Sequence, residues 1–75
     1  MKDAKTQLQE YLQAEKIALP EYKLTKVEGD EHEQIFYIIC SVDGVKQETF
    51  GQGSNRRKAE QLAAQEMLAK LRAGS

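Results

Sequence analysis

Ile35 to Val42 alternates so that Phe36, Ile38, Cys40 and Val42 fall on one face of an extended strand. A strand with one apolar face needs neighbours in a sheet and a layer that covers that face. Two further extended segments supply the neighbours. Tyr22 to Val27 alternates after Pro20, with Tyr22 and Leu24 on one side. Val45 to Phe50 follows Asp43-Gly44, a dipeptide that suits a tight hairpin because both positions tolerate positive φ. Between the first two strands, Gly29 to Gln34 reads as a polar turn segment.

Two amphipathic helices supply the cover. The first runs from Asp3, a good N-cap, to about Lys16, with Ala4, Leu8, Tyr11, Leu12 and the stem of Glu15 on one face. The second runs from Arg56 to about Arg72, capped by Asn55 after the stretch Gly51-Gln52-Gly53-Ser54. Ala63, Ala64, Met67, Leu68 and Leu71 form its apolar arc. Extended back to the first turn, that arc meets Arg56, Arg57 and Glu60, which predicts that this end projects beyond the sheet. The expected fold class is α+β in the order α-β-β-β-α, with both helices on one face of a three-stranded antiparallel sheet. Residues 3–72 form the one domain and residues 73–75 a C-terminal tail.

With 75 residues, such a fold buries about 60% of its unfolded surface, so nearly every apolar residue must serve the core. Chemistry is thinly represented. One histidine and one cysteine exclude an internal disulfide and a cysteine–histidine metal set. Gly51-x-Gly53 lacks the third glycine and the parallel strand–helix–strand unit of a dinucleotide turn. No carboxylate cluster suited to two-metal hydrolysis is visible. No apolar run approaches the roughly 20 residues of a membrane span, and Met1-Lys2-Asp3 lacks the apolar stretch of a signal peptide. A cytoplasmic location is the expectation. The net charge of −1 and a pI near 5.8 disfavour a generally basic nucleic-acid binder, so any such role depends on where the charges sit.

The stretch GQGSNRRKAEQLAAQEML, from Gly51 to Leu68, resembles the double-stranded-RNA-binding domain family. Gly51, Gly53, Arg56, Arg57, Ala59, Ala63 and Ala64 fill that family's Gly-x-Gly turn, basic helix start and paired alanines. Pro20-x-Tyr22, Gly29-x-x-His32 and Phe36 match its first strand and turn. The likeness spans about Ala4 to Leu71, and Asp3-Ala4-Lys5-Thr6 with Leu8-Gln9-Glu10 is most similar to the C-terminal domain of the bacterial ribonuclease III family. Three positions depart from the pattern. Asp30 stands where proline is frequent, which implies a less rigid turn. Asn55 replaces a frequent serine at little cost, and Glu60 replaces a frequent lysine, which implies lower affinity.

The resemblance implies three RNA-contacting surfaces. Thr6, Gln9, Glu10 and Gln13, on the outward face of the first helix, offer donors and acceptors for 2′-hydroxyls or base edges. His32 marks a second ledge, although Glu28, Asp30, Glu31 and Glu33 make it acidic and disfavour phosphate there. Asn55, Arg56, Arg57 and Lys58 form the third, where added cations meet a helix N-terminus that already favours anions. Cations there are unfavourable for the helix by roughly 0.3–1 kcal/mol, so stability alone does not explain them. The likeness further implies that double-stranded RNA is the partner and that no cofactor is needed by this domain. It places a magnesium-dependent nuclease domain outside these residues, with homodimerisation through it and a monomeric state for residues 3–72 alone. The competing reading is a protein-interaction module of the same fold, and an independent enzyme is disfavoured by the missing constellations.

Overall fold

Asp3 starts the first helix by accepting the Thr6 amide on its carboxylate at 2.8 Å. The structure, a computed structural model, describes residues 2–74. It contains α1 (Ala4–Ala14), β1 (Glu21–Asp30), β2 (Glu33–Ser41), β3 (Thr49–Gly53) and α2 (Arg56–Ala73). The strands form one antiparallel sheet in the order β1-β2-β3.

α1 ends two residues short of the expected Lys16. Lys16 adopts φ +59°, its amide donates to Gln13 O at 3.1 Å, and the Ile17 amide donates to Leu12 O at 2.8 Å. This pair of bonds is a Schellman stop, and Ile17 packs on the core beyond it.

Leu8 and Leu12 of α1, Ile38, Cys40 and Val42 from the β2 region, and Ala59, Ala63, Ala64, Met67 and Leu68 of α2 are buried together. Tyr22 lies opposite Cys40 and Leu24 opposite Ile38, so the inward faces of β1 and β2 coincide as the alternation predicts. Thr49 is buried with them, and its hydroxyl donates to Ala63 O at 2.8 Å. The alanines of α2 are what allow the helix to lie this close to β3.

Three expectations are corrected. The polar segment Gly29–Gln34 is mostly strand: β1 and β2 continue to the pair Asp30–Glu33, leaving only Glu31 and His32 as the loop. A register shift between Leu24 and Lys26 precedes this extension. Beyond the helices such a ribbon has no core to face, so both of its sides are polar and the alternation disappears. Asp43-Gly44 does not make a two-residue hairpin either. Gly44 has φ +83° within a turn closed by the Val45 amide on Val42 O at 3.0 Å, and the chain re-enters the sheet only at Thr49, opposite Cys40. Val45 is half-buried against the core, which holds this longer loop down.

The third correction concerns the start of α2, which does not project past the sheet. A Cβ on Gly51 would lie 2.1 Å from Ala59 O, and one on Gly53 would lie 2.8 Å from the Lys58 Cβ. Strand β3 therefore lies directly against the first turn, because the two inward positions that face it, Gly51 and Gly53, carry no side chain. At the far end the Gly74 amide donates to Lys70 O at 3.0 Å and caps α2; Ser75 lies outside the described residues.

Candidate nucleic-acid interface

The first turn of α2 is built by Asn55, whose extended backbone (φ −150°, ψ 169°) lets its side-chain oxygen accept the Lys58 amide at 2.8 Å. The Ala59 amide donates to Asn55 O at 3.2 Å. The amides of Arg56 and Arg57 precede the first helical hydrogen bond and have no carbonyl four residues back within the helix. They and the helix dipole favour an anion at this end. Arg56, Arg57 and Lys58 are all exposed. Among the described residues Arg57 and Lys58 form no ion pair, whereas Arg56 donates through Nε to Glu60 Oε2 at 3.0 Å.

Thr6, Gln9, Glu10 and Gln13 are exposed on α1, as the helical spacing predicts. Helix packing then places part of this ledge beside the cationic turn: Asp3, Lys5, Thr6, Gln9, Arg57, Glu60 and Gln61 line one open depression. Gln13 is not among its lining residues. Glu10 carries a partner of its own, Lys2, whose ammonium is 2.8 Å from its carboxylate. This pairing reduces the repulsion that Glu10 would exert on a phosphate. The Asp3 carboxyl lies below its usual range, chiefly through the Thr6 backbone amide and with a smaller contribution from the charge of Arg57.

His32 sits at the tip of the β1–β2 ribbon, exposed, on a separate element from the other two surfaces. Its backbone amide and that of Glu33 both donate to Asp30 Oδ1 at 3.0 Å. Where the family often has proline, Asp30 thus braces the turn through its own carboxylate. Gly29 completes the bend with φ +94°. Glu28 is also engaged: the Tyr37 hydroxyl donates to it at 2.7 Å and the Lys26 ammonium lies 3.4 Å away. These two donors hold its carboxyl below the usual carboxylate value.

Lys5, Glu60 and Gln61 were not singled out as site residues by sequence pattern. Gln61 accepts the Lys5 backbone amide at 3.2 Å, and Glu60 Oε1 accepts from the Lys5 ammonium at 2.7 Å. These contacts join α1 to α2, so only the packing of the two helices reveals them. The one signal in the sequence was Glu60 itself, an acid inside a basic turn.

Comparison with known proteins fits this geometry. The double-stranded RNA binding motif family matches residues 4–71. A ribonuclease 3 of Legionella pneumophila (strain Lens) is 69% identical over 71 residues, which are 95% of this chain and 32% of that protein. The ribonuclease 3 of Buchnera aphidicola subsp. Baizongia pistaciae is 53% identical over 70 residues, 93% of this chain and 31% of its own length. The chain thus spans about a third of the length of these relatives. A solved structure of Arabidopsis HYL1 superposes with a TM-score of 0.76 at 37% identity, covering 91% of this chain and 94% of that one. Order of elements, matched motif and relatives agree, and the chain belongs to the double-stranded-RNA-binding domain family, most similar within it to the corresponding domain of bacterial ribonuclease III.

Proposed function

We propose that this chain grips double-stranded RNA by shape and serves as the substrate-holding domain of a ribonuclease III. A-form RNA hides its base edges in a deep, narrow major groove and presents 2′-hydroxyls in a wide minor groove. A reader of that shape needs neutral hydrogen-bonding ledges beside a cationic one. The observation that carries the reading is the shared depression of Thr6 and Gln9 with Arg57, at the open N-terminus of α2. Arg57 and Lys58, with Arg56 in a lesser role, meet phosphates. Thr6, Gln9, Glu10 and Gln13 meet one minor groove, His32 meets the next, and Asn55 holds the cationic turn in form.

With about three phosphate contacts, log K falls with log salt at a slope of roughly −2 to −3. The test is a titration of duplex RNA, duplex DNA and single-stranded RNA of equal length. Preference for duplex RNA is expected, and equal affinity for all three reduces the reading to nonspecific charge attraction.

Cleavage itself belongs, on this reading, to a separate magnesium-dependent nuclease domain that also forms a homodimer in the cytoplasm, while the present domain alone is a monomer. Among the described residues no group of three His, Cys, Asp or Glu side chains could hold a metal ion, so no step through magnesium is assigned to them. No described helix is long and apolar enough to cross a membrane.

One observation favours a protein-interaction role. Phe50 is 67% and Leu62 45% exposed, and with Tyr37 they line an open hollow at the edge strand β3. That surface does not include the residues assigned to RNA, so the two roles are compatible and the titration decides the first independently.

A further inference from the structure

Glu60 is an acid where an RNA-gripping surface calls for bases, and on charge alone it opposes binding. Its carboxylate is only 13% exposed and its two oxygens are separately engaged. Oε1 accepts from the Lys5 ammonium of α1 at 2.7 Å, and Oε2 accepts from Arg56 Nε at 3.0 Å. The Lys5 ammonium also stands 4.9 Å from the centre of the Tyr22 ring, whose π-face attracts it. Lys5 is further fixed by its backbone amide on Gln61. A chain of contacts therefore runs from β1 through α1 to both ends of the first turn of α2, and Glu60 is its central link. Burial pushes its carboxyl up, but the hydrogen bonds and charges of Lys5 and Arg56 outweigh this and leave it ionised below the usual range.

We propose that Glu60 is a positioning residue for duplex recognition: it fixes the distance between the α1 ledge, Thr6 and Gln9, and the phosphate-binding cations Arg57 and Lys58. This rests on the RNA-binding reading and deepens it. One carboxylate spanning two helices sets how far apart the sugar-reading and phosphate-reading groups stand, a spacing that must match the rigid surface of an A-form duplex. Pairing Arg56 with Glu60 also gives that arginine an internal role and leaves Arg57 and Lys58 to face the phosphates.

The sign of the effect distinguishes positioning from charge. Removing an anion from an RNA-binding face should tighten binding and steepen its salt dependence if charge alone matters. Under the proposal E60Q weakens duplex affinity about three- to tenfold, and the slope of log K against log salt becomes shallower by about one. A loss of folded protein lowers the active concentration but does not change that slope. K5M weakens binding in the wild-type background and adds little in the E60Q background, because both changes break the same link. E60D keeps the charge and shortens the reach by one methylene; it folds without a change in net charge and is expected to bind more weakly than wild type.

Unchanged or tighter binding in E60Q with a steeper slope, or wild-type affinity in E60D, overturns the proposal. R57A/K58A on the same duplex separates the two levels of the argument. If that double variant binds like wild type, the RNA-binding reading itself fails. If it binds weakly while E60Q does not, only the positioning role fails.

Discussion

The two turns proposed to meet RNA, at the start of α2 and at the β1–β2 tip, are secured by the same device and embedded in opposite ways. In each, one side-chain oxygen receives backbone amides: Asn55 takes that of Lys58, and Asp30 takes those of His32 and Glu33. The α2 turn then rests on the core through Gly51, Gly53 and the buried Ala59. The β1–β2 tip rests on nothing, since residues 25–35 are all exposed. Their charges are also opposed: Arg56, Arg57 and Lys58 with Glu60 at the start of α2, against Glu28, Asp30, Glu31 and Glu33 with Lys26 and His32 at the tip. A phosphate is held by fixed positive charge, so its site belongs on packed backbone. A sugar hydroxyl is neutral, and a turn that meets it can be acidic and held only by its own hydrogen bonds.

Stability gives the largest test of this contrast. G51A forces a Cβ to within 2.1 Å of Ala59 O and 2.4 Å of Ala63 N, and overpacking against backbone is expected to cost about 3 kcal/mol or more. G29A meets Glu33 O at 1.9 Å from a φ of +94°, yet the exposed tip can yield, so about 1–2 kcal/mol is expected. Urea unfolding midpoints measure both, and a larger loss in G29A breaks the contrast.

Affinity comes next. R57A/K58A is expected to lower duplex binding at least tenfold, equally for all duplex sequences, and to flatten the salt slope by about two. H32A is expected to lower affinity by a factor of roughly two to five, as for one hydrogen bond, with the slope unchanged. A slope change in H32A would place a phosphate at the tip and merge the two surfaces into one type.

The caps separate the turns more finely. N55A is expected to cost about 1 kcal/mol of stability and to weaken RNA binding with it, because it loosens the turn that presents Arg57. D30A frees two exposed amides that water can take up, so its cost is about 0.5 kcal/mol or less.

The smallest effect is the dependence on acid. Glu60 has a carboxyl held below its ordinary value of 4.5 in the folded chain. A depressed folded value means its contribution is complete above about pH 4.5 and is lost as pH falls through the lower folded value. E60Q should therefore flatten the acid limb of stability below pH 4.5 without abolishing it, because Asp3 and Glu28 are depressed in the same direction. An unaltered limb would mean that the Lys5–Glu60–Arg56 link adds nothing to the fold.

Element order, the inward faces of β1 and β2 and both helix caps were legible because each depends on local spacing. Phe36, Ile38 and Cys40 alternate whatever surrounds them. The β1–β2 extension was not legible, since a ribbon with water on both sides carries no apolar period. Asp43-Gly44 misled for a related reason: Gly44 does take positive φ, but the pull of Val45 on the core turns the expected hairpin into a longer loop. For the site, exposure of Thr6, Gln9, Arg57 and Lys58 followed from helical geometry. The meeting of Thr6 and Gln9 with Arg57 in one depression, and the contacts of Glu60 with Lys5 and Arg56, required the crossing of α1 on α2, which no single segment encodes.

Cys40 sits fully enclosed in the sheet, and burial pushes its thiol up. It is the sole sulfhydryl in the chain and, as a shielded neutral thiol, reacts slowly with alkylating or oxidising reagents. A cysteine introduced at an exposed site outside the RNA-facing residues, Gln65 for one, is then selectively labelled without first deleting the native one. With a second cysteine at the β1–β2 tip, fluorophore pairs or spin labels report whether the tip moves when duplex RNA is added.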